Sequence, residues 1–198
     1  MSTLEKWLNV TVGVTLSLTL VLSAMLGDPV ALGVLAVVVL AGWRYLPGFW
    51  RTFGVGLISG AVAGALILGP GFRVAMRVVA IFDIRRVEFT VGGTVFIILG
   101  VGVIFGGMFG IAAAFMRTGL RWSGRLTAGV MTVALVGLLL LDPSLRSEFV
   151  ELGAGPWLNI PMFTAVTFGY GLFANKLIDR FETKRSLREA REPVEVPT

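Results

Sequence analysis

Four arginines, Arg73, Arg77, Arg85 and Arg86, and two acids, Asp83 and Glu88, stand between two long apolar stretches of this 198-residue chain. Outside that 72–88 insert, no Asp, Glu, Lys or Arg falls in the central part of any apolar run. A guanidinium fork grips two phosphate oxygens at once, so the four arginines are candidates for binding an anion or a lipid headgroup. With Asp83 or Glu88 as base, the same cluster would suit chemistry on a phosphate-bearing lipid. At 100° per residue Arg73 and Arg77 share one helical edge, while Val74, Val78, Val79 and Phe82 gather on the other. Such an amphipathic piece can lie in a membrane interface with snorkelling arginines. It can also fold back toward a wet cavity as the second half of a broken helix, where the arginines need an acid or an anion as partner.

Other chemistry is excluded by composition. Histidine and cysteine are absent, so no imidazole base, thiolate, disulfide or Cys/His metal site can be written. No metal or cofactor is expected. Ser59, beside Gly60, lacks a histidine base and reads as a small packing residue. The scarcity of intramembrane ionisable groups counts against a proton-coupled pump. Asp142, Glu148 and Glu151 read as solvated loop acids. These exclusions lean against an enzyme.

The elements that must carry the arginines are membrane helices. Hydrophobic residues make up 56% of the chain, charged residues 15%, and the mean hydropathy is +0.87; soluble domains carry roughly a quarter charged residues. A crossing takes about 20 apolar residues, which leaves room for about six spans and little else. The fold class expected is all-α, a polytopic transmembrane helix bundle of about six spans with a short amphipathic helix between spans three and four. Spans are read at 7–26, 30–46, 53–68, 89–116, 126–141 and 156–178. The bundle thus occupies 1–178, and 179–198 forms a charged cytoplasmic tail, partly disordered toward its end. No Ala-x-Ala pattern follows the first apolar run, which reads as a retained span.

Within the spans, glycine carries the strongest pattern. Gly56, Gly60 and Gly64 recur every four residues in span three, as do Gly102, Gly106 and Gly110 in span four. Each set makes a face without side chains against which another backbone can pack. The Gly54–Gly60 and Gly100–Gly106 segments are alike in order, as in an inverted repeat, yet the match fades past Gly64 and Gly110, and shared composition explains it better. Thr11, Thr15, Thr19 and Ser23 form a hydroxyl stripe in span one. Asn159, Thr164, Thr167 and Tyr170 give span six a polar interior. Such groups line a polar path or bond back to their own helices.

The net charge of +5 is nearly all arginine. Basic residues at the ends of apolar runs point to orientation and anionic lipid rather than nucleic acid. Twelve Lys and Arg fall on the side of the N-terminus, loops two and four and the tail, against five on the other. Both termini are therefore expected in the cytoplasm of a plasma-membrane protein, and loop three, with its four arginines, is the exception to the rule.

The segments Arg73-Val74-Ala75-Met76-Arg77-Val78-Val79-Ala80, Phe89-Thr90-Val91-Gly92-Gly93-Thr94 and Phe168-Gly169-Tyr170-Gly171-Leu172, with the glycine-rich span four, resemble a group of uncharacterised bacterial multi-pass membrane proteins. The resemblance covers about half of the chain and implies no activity. The expected role is a non-catalytic accessory, scaffold or lipid-contacting subunit, whose partners are membrane lipids and other membrane subunits or copies of itself. A channel or facilitator for an anion or small solute, using Arg73 and Arg77 beside a broken helix, is the alternative. A lipid-phosphate-handling enzyme is third.

Overall fold

The computed structural model describes residues 4, 7–9, 11–16, 19, 29–46, 48–82, 90–141 and 155–189. Among them the secondary structure is helical, with no strand. The helices are α1 (Trp7–Leu16), α2 (Pro29–Tyr45), α3 (Phe49–Phe82) and α4 (Val91–Leu120), then α5 (Gly124–Leu141) and α6 (Pro156–Glu189). Two of these, α3 and α4, are long and apolar enough to cross a membrane.

The two glycine faces meet, and they meet each other. α3 and α4 pack antiparallel with Gly56 against Gly110, Gly60 against Gly106, and Gly64 against Gly102. A Cβ placed on Gly56 would lie 2.7 Å from the Gly110 carbonyl oxygen and 2.8 Å from the Ile111 Cα. One placed on Gly106 would lie 2.7 Å from the Gly60 oxygen and 2.8 Å from the Gly64 Cα. The contact is backbone on backbone, which only hydrogen-faced residues permit. Ser59 and Ala63, beside Gly60 and Gly64, are fully buried.

The Gly69-Pro70-Gly71 sequence does not break the helix. α3 runs through it for 34 residues, so the piece expected as a separate amphipathic helix between spans three and four is the continuation of span three. The physical reason lies just upstream. Proline removes an N–H and crowds the carbonyl four residues before it; here Gly64–Leu68 widens into a π-helical turn, with the Gly69 N–H reaching back to the Gly64 oxygen. A wide turn of this kind inserts a residue and absorbs the mismatch. α4 widens too, over Ile97–Phe105, and the two widened stretches face one another where Gly64 meets Gly102.

α6 completes the core. Phe163, Tyr170 and Ala174 pack against Ala63, Leu68, Phe72 and Ala75 of α3, with the Phe72 and Phe163 rings edge to face at 5.0 Å. The Tyr170 hydroxyl donates to the Gly106 carbonyl at 2.5 Å, tying a third helix to the glycine seam. α5 lies on α6 through Gly171, where a Cβ would come within 2.9 Å of the Ala128 Cβ. At one end of the molecule, Leu46, just past α2, and Phe49 at the start of α3 join Leu16, Ile111 and Phe115 in one cluster. The start of α3 and the end of α4 therefore share an end, and the other end holds Arg73 and Thr90. α6 continues past Ile178 to Glu189 without interruption, so the start of the charged tail is helical.

Candidate functional site

At the Arg73 end, position four residues apart on a helix does set Arg73 and Arg77 on one edge. Arg73 is half-buried and Arg77 exposed. The Arg73 guanidinium donates to the Thr90 carbonyl at 3.3 Å. Thr90 is the N-cap of α4, its hydroxyl accepting from the Gly93 N–H at 3.1 Å, and the Thr94 hydroxyl donates to its carbonyl at 3.1 Å. Arg73 therefore clips the end of α3 to the start of α4. Phe72 and Ala75 are buried, whereas Val74 and Phe82 of the apolar edge are 62% and 57% exposed. α6 approaches from the Phe72 side, and helical periodicity cannot choose between two apolar edges of the same segment. Arg85 and Arg86, with Asp83 and Glu88, lie outside the described residues.

One hydroxyl from each stripe, Thr19 and Thr167, bonds back to its own helix. Thr19 donates to the Thr15 oxygen at 2.7 Å, and Thr167 to the Phe163 oxygen at 2.9 Å. A hydroxyl committed to its own helix satisfies itself without a polar path. The fully buried Ser59 hydroxyl has no hydrogen-bond partner.

A second polar centre lies at the opposite end. Arg117, in the last turn of α4 and 17% exposed, forms an ion pair with Asp179 of α6 and donates to the Asn175 carbonyl at 3.1 Å. Asn175 is 2% exposed; its amide donates to the Gly171 oxygen at 2.7 Å, while its side-chain oxygen has no partner. Gly124 gives the room: a Cβ there would press on the Asn175 Cβ at 3.2 Å and lie 3.7 Å from an Arg117 nitrogen. Beside this knot opens a cleft of about 380 Å³ lined by Arg117, Thr118, Arg121, Trp122 and Glu182. Arg117, Arg121 and Arg125 recur every four residues ahead of span five, a spacing that on one continuous helix makes a basic ridge. Instead α4 ends at Leu120, capped by Arg121 at a left-handed φ of 53°, and Arg125 falls in the first turn of α5.

Asn175, Asp179 and Glu182 were not singled out from sequence. Their i, i+4, i+7 spacing along α6 is the available signal, since those positions share a face. Among the described residues, no three His, Cys, Asp or Glu side chains come close enough to hold a metal. Comparison with family models, with curated proteins and with solved structures returned no match to this chain.

Proposed function

We propose that the chain is a six-span protein of the plasma membrane, a member of the bacterial multi-pass group it resembles, acting as a non-catalytic accessory, scaffold or lipid-contacting subunit. The observation that carries this reading is where the small and large residues go. The seam between α3 and α4 is glycine, alanine and serine in backbone contact, while Val37, Leu66, Phe96 and Val133 are 61–74% exposed. In the most apolar windows of α3 and α4 only 39% and 35% of residues are buried. A water-soluble core places its large apolar side chains inside; packing through small residues with large ones outward suits lipid.

Helix length supports an interfacial place for the arginines. α3 spans about 51 Å at 1.5 Å per residue, and a hydrocarbon core of about 30 Å takes about 20 residues. Counted from Trp50 and Arg51, that reaches the Pro70 region, so Arg73 and Arg77 fall at the far headgroup level. Exposed Trp43 and Tyr45 beside Arg44 suit the near interface, where aromatic side chains collect. Arg44, Arg51, Arg117, Arg121 and the start of the tail cluster at that near end, which by the positive-inside rule is cytoplasmic.

The test is isolation in mild detergent. The reading expects co-purifying lipid or a partner, and a lone monomer carrying neither would remove it. In proteoliposomes, Arg73→Ala with Arg77→Ala should leave anion flux unchanged. Flux in the parent that this pair abolishes would instead establish the channel.

A further inference from the structure

The cleft beside Arg117 holds both signs of charge, and they do not cancel each other. Arg117 is already committed to Asp179 and to the Asn175 carbonyl. Arg121 and Glu182 line the same cleft, and among the described residues no salt bridge joins either of them to a partner. Thr118 donates its hydroxyl proton to the Ala114 oxygen at 2.9 Å, so toward the cleft its oxygen can only accept. The walls therefore offer one free guanidinium donor and two acceptors, the Glu182 carboxylate and the Thr118 oxygen, with Trp122 alongside. Arg121 also sits at a backbone conformation, φ 53°, that glycine adopts without strain and other residues rarely take. A basic side chain is held there at a conformational cost, and the cleft's volume lies in the range of small-molecule sites, about 300–1,000 Å³.

We infer that this cleft binds a zwitterionic phosphate–ammonium group, the headgroup of an aminophospholipid such as phosphatidylethanolamine. Arg121 takes the phosphate oxygens through its fork. Glu182 and the Thr118 oxygen take the N–H donors of the primary ammonium. Trp122 sits at the level of the glycerol ester region, where indole rings partition. An anionic headgroup without the ammonium would leave Glu182 facing a like charge. A trimethylated one would present no N–H to either acceptor. The inference rests on the lipid-contacting reading and deepens it.

The experiment is native mass spectrometry of the full chain in detergent micelles, offered equimolar phosphatidylethanolamine, phosphatidylcholine and phosphatidylglycerol. The expected result is retention of phosphatidylethanolamine about tenfold above the other two, the difference of one charge-assisted hydrogen bond. Glu182→Gln should erase that preference. Arg121→Gly should lower retention of all three, and the variant suits the left-handed backbone there, so it keeps the fold. Soluble phosphoethanolamine should compete with the lipid. Competition at equal affinity assigns the site to the free compound, and weaker competition to the lipid. Equal retention of the three lipids by the parent chain, or an unchanged preference in Glu182→Gln, overturns the proposal. Alkaline washing of native membranes separates the two levels: a chain that stays with the membrane but shows no headgroup preference refutes only this inference, whereas release refutes the membrane reading itself.

Discussion

Gly60→Ala is the sharpest probe of the α3–α4 seam. A methyl at Gly60 would collide with the Gly106 carbonyl oxygen and lie 2.7 Å from the Gly110 Cα and 2.9 Å from the Gly110 N. Ordinary contact begins at 3.4 Å, so the helices must part by at least the difference from 2.7 Å, about 0.7 Å. No rotamer change relieves this, because every atom in the way is backbone. Overpacking of this kind costs about 1–3 kcal/mol, partly offset by the gain in helix propensity of up to ~1 kcal/mol when glycine becomes alanine. The net expectation is a loss of about 1–2 kcal/mol. Gly54 supplies the control: it lies on the same helix with nothing within 4 Å of its Cβ position. There the same substitution carries only the propensity gain and should be neutral or stabilising. The assay is the unfolding midpoint of the full chain in mild detergent, read for both variants side by side. A loss at Gly60 with none at Gly54 is required. If Gly60→Ala and Gly54→Ala shift the midpoint alike, the backbone seam does not exist as described.

Three further outcomes follow from the same packing. Tyr170→Phe, which strips the donor from the Gly106 carbonyl, should cost about 1 kcal/mol in the same unfolding assay. Thr90→Val removes the cap of α4 and should cost about 1 kcal/mol, with faster amide exchange confined to the first turn of that helix. Arg117→Ala should destabilise more than Asp179→Ala, because Arg117 also serves the Asn175 carbonyl while Asp179 is 53% exposed. A double-mutant cycle on the pair should return a coupling below about 1 kcal/mol that shrinks with added salt, as a solvent-screened pair requires.

Membrane-like composition and the glycine faces were legible without coordinates. A four-residue spacing places Gly56, Gly60 and Gly64 on one side of any helix, because helical periodicity is local and needs no partner. Which surface they would meet was not legible: Gly102, Gly106 and Gly110 lie more than thirty positions away, and the antiparallel register pairing Gly56 with Gly110 is set by how the two helices cross. The similarity between the Gly54 and Gly100 segments does not extend to the widened turns, which occupy 64–68 in α3 and 97–105 in α4. Pro70 misled for a related reason. A proline between glycines reads locally as a break, and the widened turn that carries the helix through it forms where α4 closes against the same stretch. Arg117 shows the limit most clearly. Its charge and its place at a helix end could be read from the chain, but its partners on α6 are Asn175 and Asp179, some sixty residues on, and only the packing of α6 on α4 brings them to it.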